Sequence, residues 1–201
     1  MQLFRKLLTF IAPLPHCLIA PLLVVSLSSC SRSEGPNVET TYNQQTGKLE
    51  KMTFDRNKDG KPDAWNFMDG TKLVRTEIDE NFDGVIDRWE YYGADGKMEK
   101  VGFVRAKNGT VDAWAFSGPD GQVSRIEIST KGDGKVSRWE HYERGVLVRA
   151  EEDAAGLGRP DKWETYKEGA LAAVELDTLK RGKPNKRLVY DASGVTVEKI
   201  K

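Results

Sequence analysis

DENFDGVIDRWEYYGADGKMEKVGFV, residues Asp79 to Val104, holds two kinds of information in one stretch. Its first nine residues place side-chain oxygens at Asp79, Asn81, Asp83 and Asp87 around Gly84, a composition suited to a tight loop. Its remainder alternates. Trp89 and Tyr91 share one parity and Arg88, Glu90 and Tyr92 the other; GADGK then supplies a turn before a second run from Met98 to Val104. A period of two on both sides of a turn predicts a β-hairpin.

The pattern extends in both directions. The loop glycine recurs as Gly60, Gly84, Gly109, Gly134, Gly158 and Gly182, at spacings of 24 or 25 residues. Five residues after each stand Trp65, Trp89, Trp114, Trp139, Trp163 and finally Arg187, so all five tryptophans of the chain fall in one register. Such phasing means a tandem array with one supersecondary unit per period. Val38 to Phe54 reads as a further hairpin before the first glycine. The expected fold is therefore all-β, an antiparallel meander of about six to seven two-stranded repeats, either an open twisted sheet or a closed barrel.

Within the strands after each turn, Arg75 and Glu77, Arg125 and Glu127, and Arg149 and Glu151 share one parity, while Ile78, Ile126, Ile128 and Val174 share the other. This predicts one apolar face and an opposite charged face. The tryptophans are expected on the apolar face, with neighbouring units burying one another's rings; an aromatic platform for a ligand is the alternative.

The loops suggest chemistry. Oxygens at loop positions 1, 3, 5 and 9 with glycine at 6 let a short backbone wrap a hard cation such as calcium. Asp55, Asn57, Asp59 and Asp63 complete one such loop, and Asp79, Asn81, Asp83 and Asp87 a second, with the backbone carbonyls of Lys61 and Val85 as further donors. An EF-hand is excluded, because the twelve residues 67–78 between these loops cannot hold two helices and a linker. The loops resemble the aspartate-rich calcium repeats of thrombospondin type 3 and the hairpin loops of integrin-like propeller blades, which implies a cation clamping non-helical backbone. Later copies lack the full oxygen set, and Lys131 and Arg181 are expected to neutralise the remaining carboxylates there. A turn without metal is the simpler alternative reading of all six loops.

The amino terminus differs in kind. Arg5 and Lys6 precede a run from Leu7 to Leu27 free of charged side chains, the layout of an export signal, with an uncleaved membrane anchor as the alternative. The run ends in Leu27-Ser28-Ser29-Cys30, which resembles the lipobox of bacterial lipoproteins. The resemblance implies a signal peptide over residues 1–29, a lipid on Cys30, a tether over 30–37 and a repeat domain over 38–201. Because Ser31 is not aspartate, it also implies an outer-membrane rather than inner-membrane address in a bacterial cell envelope.

Lysine plus arginine equals aspartate plus glutamate at 31 each, so no basic field favours nucleic acid. Beyond the signal, His141 is the single histidine, and it occupies the strand position taken elsewhere by Phe67, Tyr91 and Phe116. No nucleophile–base constellation or nucleophile-elbow motif is present, so an enzyme is not expected. EYYGADGK (90–97) and EHYERG (140–145) resemble MORN-variant repeats of bacterial surface and antitoxin-like proteins, which implies an interaction scaffold for a protein or polysaccharide partner. A calcium-responsive module is the alternative.

Overall fold

The computed structural model describes residues 37–105 and 109–200. The expected signal segment, Cys30 and the expected tether up to residue 36 lie outside the described residues. The rest is one antiparallel meander of fourteen strands in sequence order, with no helix among the described residues. β1 (Asn37–Tyr42) and β2 (Leu49–Asp55) form the first hairpin, followed by β3 (Ala64–Asp69) and β4 (Lys72–Ile78), then β5 (Arg88–Tyr92) and β6 (Met98–Phe103). β7 (Ala113–Ser117) and β8 (Val123–Ile128) precede β9 (Arg138–Glu143) and β10 (Val146–Glu152). β11 (Lys162–Lys167), β12 (Ala170–Leu176), β13 (Lys186–Asp191) and β14 (Gly194–Lys199) complete the sheet. β1 pairs only with β2 and β14 only with β13, so the sheet is open rather than a barrel.

Long loops and short turns alternate along a meander, so all the aspartate loops line one edge and all the short turns the other. Each hairpin from β1–β2 to β11–β12 has a register shift beside its short turn. Such bulges bend the strand and add right-handed twist. The β13–β14 hairpin has none.

The register decides which side chains share a face, and it corrects the expected division. Thr53 opposes Trp65, which opposes Glu77, and the row continues through Trp89, Gly102, Trp114, Glu127, Trp139, Glu151, Trp163 and Glu175. Two residues further from the loops runs a parallel row of Lys51, Phe67, Arg75, Tyr91, Lys100, Phe116, Arg125, His141 and Arg149. The tryptophans therefore lie on the face of the arginine–glutamate ladder. Nor do successive indoles bury one another, because an intervening strand separates each from the next. The rings are half-buried under charged neighbours instead. The Arg75 guanidinium lies 4.1 Å from the Phe67 ring centre and Arg125 4.2 Å from that of Phe116, a favourable placement of cation over π-cloud. The sequence pattern could not separate the two arrangements, since alternation gives parity within a strand and not the side to which a neighbouring strand's parity points.

One point on this face breaks the rule. Where other units place glutamate between two tryptophans, Gly102 stands, and a β-carbon there would come within 2.8 Å of the Trp114 ring. The ring lies over the glycine. Tyr91 meets Trp114 at 5.9 Å, and Lys100 Nζ sits 4.6 Å from both ring centres.

The opposite face carries the most buried row: Thr76, Glu90, Val101, Ala115, Ile126, Glu140, Ala150, Glu164 and Val174. Ala115, Ile126 and Ile128 pack with Val101, Val123 and Tyr142 as its apolar centre. We expect Gly102→Ala to destabilise the chain by about 1–3 kcal/mol through overpacking against Trp114; a urea midpoint equal to that of the unchanged chain would disprove the close approach.

Candidate functional site: the acidic loop edge and the buried glutamates

A loop between strands has N–H groups that the sheet cannot satisfy, and here one or two side chains per loop supply the acceptors. At position 1, Asp55 accepts from the N–H of Asp59 (3.2 Å) and Gly60 (2.9 Å), and Asp79 from Asp83 (3.2 Å) and Gly84 (2.7 Å). Asp153 and Asp177 repeat this with Leu157 and Gly158, and with Arg181 and Gly182. At position 9, Asp63 accepts from Arg56 (2.8 Å) and Asn57 (3.2 Å), Asp87 from Glu80 and Asn81, and Asp161 from Ala154 and Ala155. Ser137 and Asn185 do the same with one N–H each. Adjacent loops are tied by their backbones: Asp79 N–H donates to Asp63 O, and the bond recurs from Val104 to Asp87, Ser129 to Asp112, Asp153 to Ser137 and Asp177 to Asp161.

Positions 1 and 9 thus have a structural task in loops without oxygens at 3 and 5 as well, and in the third loop, where Val104 stands at position 1, position 9 alone supplies the acceptor, as Asp112 to the Arg105 N–H (2.9 Å). What sets the first two loops apart is the exposed pair Asn57 and Asp59, and the exposed pair Asn81 and Asp83. Each amide oxygen caps the N–H of the following aspartate, and Asp59 and Asp83 cap Lys61 and Val85. The structure brings Asp55, Asn57, Asp59, Lys61 and Asp63 into one loop and Asp79, Asn81, Asp83, Val85 and Asp87 into the next along the same edge. Among the described residues, no three acidic, histidine or cysteine side chains converge as a preformed metal cage.

The two loops differ in charge. Arg56 donates through Nε to Asp63, reaches the Asp79 carbonyl with Nη2 (2.7 Å) and lies over the Phe82 ring at 5.3 Å. Burial pushes the Asp63 carboxyl up, but the Arg56 side chain and the loop N–H groups outweigh it and hold the group below its ordinary value. In the next loop the place of Arg56 belongs to Glu80, and Asp87 meets the Asn81 amide instead (3.3 Å). The Asp63 carboxylate of the first loop therefore has a cation of its own, whereas Asp87 has none from its loop, and Glu80 turns instead to Arg88 of the following strand (3.2 Å).

The expected role of Arg181 is corrected at the last loop. Arg181 gives Asp177 its backbone N–H (2.9 Å), and the side-chain cation that reaches Asp177 comes from the neighbouring loop as Arg159 (3.4 Å), which also donates to Lys180 O (2.6 Å). Arg105 bridges in the same sense, from Asp112 (2.7 Å) to the Ser129 carbonyl (3.4 Å). Each clasp spans two loops: Arg56 and Arg105 bind their own loop's carboxylate and the next loop's carbonyl, whereas Arg159 reaches both a carboxylate and a carbonyl of the next loop.

Sequence reading missed a second cluster, on the face opposite the tryptophans. Glu90, Glu140 and Glu164 are buried in the central row, and each accepts from a tyrosine two residues on: Tyr92, Tyr142 (2.7 Å) and Tyr166 (2.8 Å). Arg138 binds Glu140 (2.8 Å), Glu152 (3.2 Å) and Glu164 (2.8 Å), while Lys162 binds Glu152 (3.1 Å) and Glu164 (2.6 Å). A signal for it exists. Where the residue after tryptophan is glutamate, the residue before is Arg88, Arg138 or Lys162 and the third after is tyrosine; where it is Asn66 or Ala115, the residue before is Ala64 or Ala113. Acid, base and hydroxyl enter the face together or not at all, as burial of a charge requires.

His141 lies on the tryptophan face with its Nε2 3.2 Å from Arg149 Nη2, and burial together with Arg149 and Arg125 lowers its proton affinity. It is a strand residue in a cationic row and meets no nucleophile. The depressions of about 270 Å³ beside Asp112 and Ser129 and about 380 Å³ beside Asn185 and Val197 are shallow.

No family model matches the chain, and no curated protein matches it. Among solved structures it is similar to accessory secretory protein 1, 2 and 3 of Streptococcus pneumoniae, at 18% identity over 62% of this chain and 21% of that chain, with a TM-score of 0.31. It is also similar to the Glycosylation Associate Protein (Gap123) complex of Streptococcus agalactiae, at 13% identity over 78% and 21%, with a TM-score of 0.25. The chain spans about a fifth of the length of each.

The buried cluster has a pH signature. Burial raises the Glu164 value, but Arg138, Lys162 and Tyr166 outweigh it and hold it at about 2, below the ordinary 4.5. A depressed carboxyl value contributes stability that is fully present above the ordinary value and is lost as pH falls toward the folded one. Urea midpoints should therefore drop between pH 4.5 and about 2, and Glu164→Gln should lower stability at neutral pH while flattening that drop; an unchanged slope in the variant would assign the acid loss elsewhere.

Proposed function

We propose that this chain is a lipid-anchored, non-enzymatic scaffold of the bacterial cell envelope, which presents a long open sheet to a protein or polysaccharide partner. The observation that carries the scaffold reading is the fourteen-stranded single sheet, whose repeated pattern serves loop closure and cross-strand pairing rather than a cleft. The anchor rests on the sequence Leu27-Ser28-Ser29-Cys30 after an apolar run. Cys30→Ser should abolish labelled-palmitate incorporation and leave the chain unprocessed, whereas labelling that survives the substitution would refute lipidation at this residue.

In this reading calcium braces the loop edge. Asp79, Asn81, Asp83 and Asp87 would hold the ion, with the Val85 carbonyl as a further donor, and its charge would offset the Asp79, Asp83 and Asp87 carboxylates, which no arginine of their own loop reaches. The loop at Asp55, Asn57, Asp59, Lys61 and Asp63 fits less well, because Arg56 already neutralises Asp63. Calcium as a brace is preferred to calcium as a signal, since the loops lacking oxygens at positions 3 and 5 close by the same hydrogen bonds.

Calorimetric titration should then find one calcium site, which Asp83→Ala removes, and Arg56→Ala should add a second. Calcium at a hundred times its dissociation constant would stabilise the chain by about 2.7 kcal/mol, with no change in sedimentation coefficient. Binding untouched by Asp83→Ala would refute the site, and a calcium-driven change of shape would favour the responsive alternative.

A further inference from the structure

The buried row of the face opposite the tryptophans does not stop inside the molecule. From Ala150, fully buried, it passes through Glu164 and Val174 (5% exposed) to half-buried Leu188 and then to Val197, which is 60% exposed on β14. Val195 beside it is 57% exposed. β14 has the regular register that the other short-turn hairpins lack, so neither a bulge nor a proline blunts this edge. Ile200 N–H donates to Asn185 O, so by antiparallel alternation the even-numbered residues of β14 turn their N–H and C=O toward β13. Those of Val195, Val197 and Lys199 are left facing outward.

We propose that β14 pairs with β14 of a second copy of this chain, antiparallel and about a two-fold axis at Val197. This register sets Val197 opposite its own counterpart, Val195 opposite Lys199 and Thr196 opposite Glu198, so no like charges are directly opposed. It joins the outward-facing backbone groups of both copies and continues the apolar row as Val174, Leu188, Val197 and then the same residues in reverse. The charge pattern selects this partner over a head-to-tail array. Extending the meander from β14 to β1 of the next copy would set Glu198 opposite Glu39, since both lie in the tryptophan row, and like charges directly opposite repel. β1 also brings Thr40 to the central row, where β14 brings Val197.

The test is sedimentation velocity of the full chain in non-ionic detergent across a wide concentration range, with Val197→Lys and Val38→Lys as variants and circular dichroism as the check on folding. A dimer is expected that Val197→Lys weakens roughly tenfold or more and Val38→Lys leaves alone. A monomer at all concentrations overturns the proposal, as does a dimer indifferent to Val197→Lys, which would place association in the amino-terminal apolar segment. Loss of the dimer on Val38→Lys alone would favour head-to-tail pairing and overturn it too. Independently of that variant's folding, Val197→Cys should form a covalent dimer on mild oxidation beyond the background of Cys17 and Cys30, and Val38→Cys should not; no excess crosslinking at position 197 overturns the proposal.

Discussion

A single sheet has no second layer among the described residues to cover it, so each side chain must be buried by its neighbours across the strands. That constraint explains the composition of both faces. A continuous apolar face would remain open to water; alternating rings with cations, and glutamates with tyrosines and arginines, lets long amphipathic side chains cover one another while their charged ends stay paired or solvated. The Arg75 and Arg125 stacks on Phe67 and Phe116 are one form of this solution, and the Arg138 and Lys162 network is the other. In both, burial is local to a pair of hairpins, and the array can extend unit by unit as in other repeat proteins.

The loops obey the same logic at the sheet edge. Side chains at position 9, and at position 1 in every loop but the third, accept from their N–H groups, and each loop after the first is hydrogen-bonded to the one before, so the edge is a stack rather than a fringe of independent turns. Arg56, Arg105 and Arg159 strengthen the stack by reaching from one loop to the next. A cation at the Asp79 loop would join an edge that is already closed, which is why a bracing role follows more directly than a switching one.

Much of this was legible in the residues. The period, the hairpins, the exclusion of an EF-hand and the six loops follow from spacing alone, since a turn needs glycine at a left-handed position and a strand needs a period of two. Gly60 and Gly84 indeed have φ of 88° and 87°. The buried glutamates were legible too, through the joint appearance of arginine or lysine, glutamate and tyrosine around tryptophan. Their number and spacing resemble surface charges, however, and burial is a property of the row rather than of the residue.

By itself the sequence determined the meander: local alternation, turn chemistry and the 24–25-residue period leave each strand beside its predecessor. It also determined where the loops fall, because each needs a glycine at its sixth position with hydrogen-bonding side chains around it. Only the tertiary structure decided that the tryptophans share a face with the charge ladder, that the clasp arginines serve the neighbouring loop, and that the sheet stays open. The physical reason is common to all three. Register, loop stacking and accumulated twist arise between units, and no spacing within one unit encodes the relation between two.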